Sequence, residues 1–274
     1  MGKNILKHVS QFIVTLVGIT FLTFALTYIA PGDPATALLE AHDRMISQQE
    51  LDEVRAQLGL DKPFLVQYGN WLVHAAQGDL GLSYSAKQPV VDRMMGSLPG
   101  TLMLAVASVL FIILYSVPTG IISAVYHNKW IDYVLRSISF VGVSMPTFWL
   151  GLILIYIFGL KLGWVPIASS RITPIGVILP ALTLSLVVGS KYMRQVRLVI
   201  LEEMQKDYVI GARARGLSET KILFHHILPN ALLPLITILG VLMGWLLGGV
   251  AVVEMVFAWP GLGFMAVYAI TMRD

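Results

Sequence analysis

Long apolar runs alternate with short polar segments along this chain of 274 residues. A helix needs roughly 20 mainly apolar residues to cross a bilayer core of about 30 Å. Five runs are long enough, at residues 11–30, 101–126, 138–160, 176–201 and 227–253. The pattern therefore predicts an all-α polytopic membrane protein with five transmembrane helices.

The composition agrees with this class. Apolar residues make up 56% of the chain and charged residues 13%, whereas soluble domains carry about 25% charged residues. The chain has no cysteine, which excludes a disulfide framework and a thiolate metal site. It has no GxxxxGKS/T phosphate loop, and its six histidines form no i, i+4 pair. Neither an ATPase site nor a metal site is therefore predicted in this chain.

The placement of lysine and arginine predicts the direction of the helices. Lys3 and Lys7 precede the first run, Lys129 and Arg136 follow the second, and the loop after the fourth run is strongly basic. Because such residues concentrate on the cytoplasmic side, we expect a cytoplasmic amino terminus and an external carboxyl end in a short polar stretch. The first run resembles a signal peptide, but it is longer than a usual signal-peptide core and no A-x-A cleavage site follows it. A retained helix is therefore predicted.

The same pattern divides the chain into three parts. Residues 1–30 form the cytoplasmic tip and the first helix. Residues 31–100, in which acids outnumber bases, form an extracytoplasmic cap. Residues 101–274 form the membrane core, with a cytoplasmic loop at 202–229.

Two short amphipathic helices are predicted within the cap. Ser47 followed by Glu50 is a capping-box pattern that begins the first. Gly59 ends that helix and Pro63 begins the second. The cap at residues 46–76 is either a plug that covers the ends of the loops or a docking surface for an external partner.

A polar interruption between the last two runs is the most distinctive segment. It reads DYVIGARARGLSETKILFHHILP over residues 207–229. The pattern predicts a short helix that lies crosswise under the membrane, with Gly216 in the left-handed conformation that ends it and Ser218 capping the next helix. Its small residues would allow close approach to another backbone, and Pro229 would fall in the first turns of the fifth span, where a missing N–H costs least. The residues expected to contact a water-soluble partner are Gly211, Ala212, Arg213, Arg215, Gly216, Leu228 and Pro229. The alternative is an ordinary basic loop.

This segment resembles the EAA motif of ATP-binding-cassette (ABC) importer permeases, in which a Gly is followed after a fixed spacer by Leu-Pro. Gly216, Leu228 and Pro229 match that spacing, and Ala212 matches the second Ala of the motif. The chain departs from the motif's Glu, first Ala and Ile at Ile210, Gly211 and His226 respectively.

Other segments strengthen the resemblance over essentially the whole chain. They are YIAPGDPA, LGLDKPFLVQYGNWL, GVSMPTFWLG and FAWPGLG. All resemble permeases of the dipeptide, oligopeptide and nickel importers, and the last two look closest to the nickel or metal-chelate branch. The cargo classes that stay open are nickel, as an ion or a chelate, and di- or oligopeptides.

The resemblance implies a type I ABC importer permease fold in a bacterial cytoplasmic (inner) membrane. It also implies a second homologous permease subunit, two ABC ATPase subunits and an extracytoplasmic solute-binding protein. ATP and Mg would be bound by the ATPase subunits, and no cofactor is expected in this chain. The crosswise helix would be the coupling helix. A sixth transmembrane helix is expected after Arg273 and Asp274, beyond the end of this chain.

Several residues in or near the spans are candidates for the translocation pathway. Pro146 and Pro180 are expected to bend the third and fourth spans. Side chains around the first bend either line the pathway or serve ordinary packing, and Glu254 either lines the pathway or accepts hydrogen bonds from backbone donors of the WPGLG turn. The candidates are Ser144, Met145, Pro146, Thr147, Phe148 and Glu254.

A row of glycines in the fifth span is a candidate contact surface. Gly240, Gly244 and Gly248 are spaced four residues apart, which permits close approach of two membrane helices. Packing within this subunit is favoured, and contact with a second permease subunit is the alternative.

Two other function classes are weighed against the importer. A secondary transporter or channel usually has ionisable residues at mid-membrane, and the span centres here lack Asp, Glu, Lys and Arg. An intramembrane hydrolase could use Ser144, but no His or Lys lies within a span to activate it.

Overall fold

The computed structural model describes residues 2–29, 35–36, 47–83 and 85–272. These residues are predominantly helical, and their only β-type pairing is an isolated bridge between Leu82 and Pro89. The predicted cap residues 37–46 and the expected final-helix boundary at Arg273 and Asp274 lie outside the described residues. Two compact units are present: Met1–Met95 with Tyr268–Asp274, and Gly96–Val267.

Twelve described helices carry the fold, and two π-helical segments continue α6 and α9. In chain order the helices are α1 (Gly2–Ile29), α2 (Gln48–Leu58), α3 (Phe64–Ala76), α4 (Val90–Val125), α5 (Trp130–Ser144), α6 (Thr147–Leu154), α7 (Ile178–Met204), α8 (Asp207–Ala214), α9 (Glu219–Ile222), α10 (Leu228–Gly249), α11 (Ala251–Val256) and α12 (Leu262–Met272). The π-helical segments are Ile155–Lys161 and Leu223–Ile227.

The helix boundaries predicted in the cap are confirmed. Ser47 and Glu50 form a capping box at the start of α2, with both reciprocal hydrogen bonds present. Gly59 ends α2 with φ 68°, in the left-handed region that glycine adopts without strain. Pro63 occupies the cap position before α3. These boundaries depend on chemistry within a few residues of chain, so the sequence pattern identifies them.

An aromatic cluster joins α1 to α3. Phe21 and Phe24 meet Tyr68 with ring centroids 5.3 Å and 5.6 Å apart in edge-on geometry, and the Tyr68 hydroxyl donates to the Val17 carbonyl at 3.2 Å. Most of the remaining apolar surface of α1 is exposed. An exposed apolar helix of this length is suited to contact lipid.

The core of the second unit is organised around α7. Buried residues recur along the whole of this helix. A Cβ atom at Gly142 of α5 would collide with Ser190 Oγ of α7 and would lie 3.2 Å from the Leu186 carbonyl oxygen, so glycine favours this close approach. Ser139 of α5 also donates to the Ser190 carbonyl at 2.7 Å. Small and hydroxyl-bearing residues thus bring the two helices into close contact.

The third predicted span is broken. α5 ends at Ser144, and the helix that begins at Thr147 runs at 104° to it, so the bend expected at Pro146 is confirmed and is sharper than a kink within one helix. The bend expected at Pro180 is wrong. α7 begins at Ile178, and a proline in the first turn removes an N–H that has no helical partner there.

By length and composition, three described helices can cross a membrane: Leu6–Ile29, Val90–Val125 and Glu219–Gly244. The broken pair around Pro146 makes a fourth if it counts as one span. The predicted fourth run forms α7, whose second half carries Lys191, Arg194 and Arg197. The chain before Arg273 and Asp274, the charged pair of the polar stretch expected at the carboxyl end, forms the apolar helix α12.

Candidate functional site: the α8 hairpin and the face of α5 and α6

The short helix α8 ends in a Schellman motif. The Gly216 amide donates to the Arg213 carbonyl at 2.9 Å, and the Leu217 amide donates to the Ala212 carbonyl at 3.3 Å. Gly216 has φ 77°, so the predicted left-handed position is confirmed. Ser218 stands at the cap position of α9, but its side chain makes no capping hydrogen bond. The backbone turn therefore depends on Gly216 more than on Ser218.

Only one face of α8 packs against the core. Val209 and Ala212 are buried, while Ile210 and Arg215 are exposed. Nothing in the described chain lies within 4 Å of a Cβ placed at Gly211 or Gly216, so the close approach expected at these glycines is not made within this chain and stays a prediction for contact with a partner. α8 therefore offers an accessible face that includes an apolar side chain beside basic ones.

An ion pair connects the two arms of this hairpin. Arg213 donates from Nε to Glu219 Oε1 at 2.7 Å and from Nη2 to Oε2 at 3.1 Å. The hydrogen bond to Glu219 raises the pKa of the Arg213 guanidinium. Arg215 instead donates to the Gly211 carbonyl at 3.3 Å. Both predicted contact arginines are thus bonded within the chain, Arg213 through a two-bond ion pair and Arg215 through a single hydrogen bond to the backbone.

A buried carboxylate joins the end of α7 to α8. Glu203 accepts from Lys206 Nζ at 2.5 Å and from the Tyr208 hydroxyl at 2.7 Å. Burial alone would raise the pKa of Glu203, but the hydrogen bonds from Lys206 and Tyr208 outweigh it and lower that pKa. Burial, reinforced by the bond to Glu203, raises the pKa of Tyr208. A displacement of α8 would therefore act directly on α7.

Leu228 and Pro229 lie where α8 and α9 lead into the long helix α10. Pro229 is in the first turn of α10, as predicted, and the π-helical turn Leu223–Ile227 immediately precedes it. A proline ring crowds the carbonyl four residues earlier, and a wider π turn relieves this crowding. Leu228 packs against the core, whereas Pro229 is exposed.

The predicted pathway residues around Pro146 share an open surface. A groove of about 470 Å³ is lined by Phe140, Val141, Ser144, Met145, Pro146, Phe148 and Trp149. Thr147 is half-buried and is not among the lining residues. The Ser144 hydroxyl donates to the Phe140 carbonyl at 2.9 Å. The groove is therefore mainly apolar and aromatic, with few hydrogen-bonding groups.

Glu254, the remaining pathway candidate, is fully buried. Its carboxylate accepts from Thr101 Oγ1 at 2.7 Å and from the Phe264 amide at 2.8 Å. The neighbouring Trp259 donates from Nε1 to the Gly100 carbonyl at 2.8 Å. This geometry favours the structural alternative, in which Glu254 holds the chain after the WPGLG turn against α4 at Thr101.

A buried cluster around Asp132 was not predicted from the sequence. Arg197 donates from Nε to Asp132 Oδ1 and from Nη2 to Oδ2, both at 2.8 Å. Ser123 Oγ and the Asn128 amide also donate to this carboxylate, which has no exposed surface. The available signal was a single acid in a basic loop, but its partner is 65 residues away.

Two family models match the chain. The family described as "Binding-protein-dependent transport system inner membrane component" matches residues 116–274. A second model, "Binding-prot-dependent transport system membrane comp, N-term", matches residues 1–105. Together they account for most of the sequence.

Relatives of similar length were also found. The glutathione transport system permease protein GsiC of Escherichia coli O6:H1 (strain CFT073) is 38% identical over 274 residues, covering 100% of this chain and 88% of the relative. GsiC of Escherichia coli (strain K12) is 37% identical with the same coverage. GsiC of Salmonella choleraesuis (strain SC-B67) is 38% identical over 279 residues, again covering 100% of this chain and 88% of the relative.

A solved structure shares the fold. A chain from inward-facing conformations of the MetNI methionine ABC transporter superposes with a TM-score of 0.54 and 19% identity, covering 66% of this chain and 84% of that chain. At this identity the likeness concerns the fold alone, which is that of a type I ABC importer permease.

Permeases of this family are transport subunits that have no ATPase site of their own. Partner subunits hydrolyse ATP, and a binding protein is a further partner, as the family description states. Both family models and the full-length relatives agree with the membrane-spanning helices described above. The chain therefore belongs to the ABC importer permeases of the peptide and nickel type, as a multi-pass protein of the inner membrane.

Proposed function

We propose that this chain forms half of the translocation pathway for short peptides such as glutathione. The observation that carries this proposal is the full-length similarity to permeases named for glutathione transport. The nickel alternative has less support, since the described residues include no group of three or more His, Cys, Asp or Glu side chains placed to hold a metal ion. A nickel chelate remains the second candidate cargo, because the sequence motifs resemble that branch.

The proposed assembly contains two permease subunits, two ATPase subunits that bind ATP and Mg, and a solute-binding protein. The amino terminus and α8 lie on the cytoplasmic side in this proposal, in accord with the distribution of lysine and arginine. The open face of α10 at Gly240 and Gly244 supports contact with a second permease, since nothing in the described chain lies within 4 Å of a Cβ at either position.

In the proposed mechanism α8 is the coupling helix. Its exposed face enters a groove of an ATPase subunit, and closure of the ATPases displaces it. The Glu203, Lys206 and Tyr208 network transmits this displacement to α7, while the hairpin leads without interruption into α10. The broken span at Pro146 then changes the accessibility of the groove beside it.

The test is purification of the native complex, followed by uptake measurements. Recovery of a second permease and ATPase subunits, with ATP-dependent uptake of glutathione in vesicles supplied with the binding protein, would support the proposal. Uptake of a nickel chelate but not of glutathione would transfer the assignment to the second candidate. Stable, active recovery of this chain alone would instead favour a secondary transporter.

A further inference from the structure

A second groove, of about 520 Å³, runs between α5 and α7. Its lining residues are Tyr133, Arg136, Ser137, Phe140, Val141, Arg194, Arg197 and Leu198. We propose that this groove binds a carboxylate of the transported peptide, with Arg194 as its main contact. The inference rests on the proposed function and on the proposed cytoplasmic position of the loop between α4 and α5.

The charges in this groove are unbalanced. Three guanidinium groups line it, and the neighbouring carboxylate, Asp132, is already bound by Nε and Nη2 of Arg197. Arg136 lies 4.0 Å from the same carboxylate, at the limit of an ion pair. Arg194 makes no hydrogen bond or ion pair with the described residues. An anion is therefore the ligand that this arrangement favours.

The chemistry of the arginines further defines the ligand. A guanidinium presents several N–H donors in a planar fork that matches the two oxygens of a carboxylate. Arg136 stacks near the Tyr133 ring, with Cζ 5.7 Å from the ring centroid, so an aromatic surface lies beside the charges. A small molecule with a carboxylate and an apolar portion fits this combination.

The groove is continuous with the predicted pathway surface. Phe140 and Val141 line both this groove and the one around Ser144 and Pro146. The two side chains are exposed and lie between the basic end of α5 and the bend. A cargo that passes the bend toward the basic end would therefore meet Arg194 and Arg136. Basic residues are common at cytoplasmic helix ends. That tendency does not explain why the two grooves share Phe140 and Val141, or why Arg194 has no partner among the described residues.

The absence of cysteine from the chain permits a direct binding test. Ser137→Cys places a single thiol in the groove of the assembled importer, in vesicles of neutral lipid. The rate of maleimide labelling is measured with S-methylglutathione, whose sulfur cannot react, and with its diamide, which lacks carboxylates. We expect the free acid to slow labelling and the diamide to have little effect. In Arg194→Gln, half-protection should need about tenfold more peptide, as expected for loss of a charge-assisted hydrogen bond.

Lys129→Gln is the matched control. Lys129 lies at the same end of α5 and outside the groove, with Nζ 5.5 Å from the Tyr126 ring centroid. Equal protection by the diamide, or unchanged protection in Arg194→Gln, would overturn the inference. Protection by anionic phosphatidylglycerol without peptide would overturn it in favour of a lipid headgroup. If the peptide protects the thiol but is not taken up with ATP, the groove binds the peptide and the proposed transport function is wrong. If the peptide is taken up but does not protect the thiol, the proposed function stands and binding in this groove is rejected.

Discussion

Asp132 is a fully buried carboxylate, and its charge must be compensated by neighbouring groups. Its carboxylate has no exposed surface, and a buried charge is tolerated only when it is paired and hydrogen-bonded. Arg197 supplies two of its hydrogen bonds, and Ser123 and the Asn128 amide supply the others. The cluster therefore ties the loop before α5 to α7.

Removing the two partners should have unequal effects. Arg197→Met leaves a buried carboxylate without its countercharge and should lower the free energy of unfolding by about 3–5 kcal/mol. Asp132→Asn leaves the guanidinium with some solvent contact and should cost less, about 1–3 kcal/mol. Thermal unfolding in detergent would measure both. The double variant should be more stable than Arg197→Met alone, and equal losses in the two single variants would contradict this account.

The buried carboxylate of Glu203 should make the stability of the fold depend on pH. Hydrogen bonds from Lys206 and Tyr208 lower its pKa, so its ionised form stabilises the fold above the unfolded-state pKa of about 4.3. That contribution is lost as the pH falls through the still lower pKa of the folded state. The stability difference between wild type and Glu203→Gln should therefore be constant near pH 7 and shrink below about pH 4.3. The measurement is the unfolding temperature of wild type and of Glu203→Gln from pH 7 to pH 3. A difference between the two proteins that does not change with pH would show that the ionised Glu203 carboxylate does not stabilise the fold.

At the level of elements, the α8 turn depends on one conformation. Gly216 at φ 77° allows the Schellman hydrogen bonds, and a β-branched residue there would cost about 1–2 kcal/mol of backbone strain. In the assembled importer, Gly216→Val should reduce uptake while ATP hydrolysis continues, because α8 would be displaced from the ATPase. Gly216→Asn is the matched variant, since asparagine tolerates the left-handed region. Undiminished uptake in Gly216→Val would reject α8 as the coupling helix.

Helix ends that depend on residues within one turn of chain could be predicted from the sequence. Features that depend on packing between distant segments could not. The capping box at Ser47, the left-handed Gly216 and the first-turn position of Pro229 follow from chemistry within one turn of helix. The π turn before Pro229 and the two-helix break at Pro146 depend on how the chain packs on both sides. The bend predicted at Pro180 is wrong because the fourth apolar run begins at residue 176, whereas α7 begins at Ile178. Pro180 therefore lies in the first turn of the helix and not in its interior.

For the whole molecule, apolar periodicity and charge placement were sufficient to predict a helical membrane protein, and its motifs were sufficient to indicate the family. They could not reveal contacts between distant segments, such as Arg197 with Asp132 or Thr101 with Glu254. Glu254 shows the difficulty: an acid near a span suggests a pathway, and only its partners reveal a structural role. The contact surfaces between subunits are subject to the same limit, because their partners lie outside the chain.

The open face of α10 provides a test of assembly. Gly240 and Gly244 have no described neighbour within 4 Å of a Cβ position, so the packing within the subunit that their spacing suggested is wrong for these two residues. Gly244→Leu should leave the unfolding temperature of the isolated chain unchanged or slightly higher, since leucine favours helix more than glycine does by about 1 kcal/mol. If α10 meets a second permease through this face, the same substitution should reduce recovery of that subunit on purification.

The control for this experiment is a leucine at a glycine that is needed for packing within the chain. Gly142→Leu would collide with Ser190 and should destabilise the isolated chain before any assembly takes place. Loss of the second permease in Gly244→Leu with a stable chain would therefore locate the contact on α10, because folding and association respond to different glycines. Normal recovery of the complex would show that this glycine face is not the contact between the two permeases and faces lipid or the open pathway.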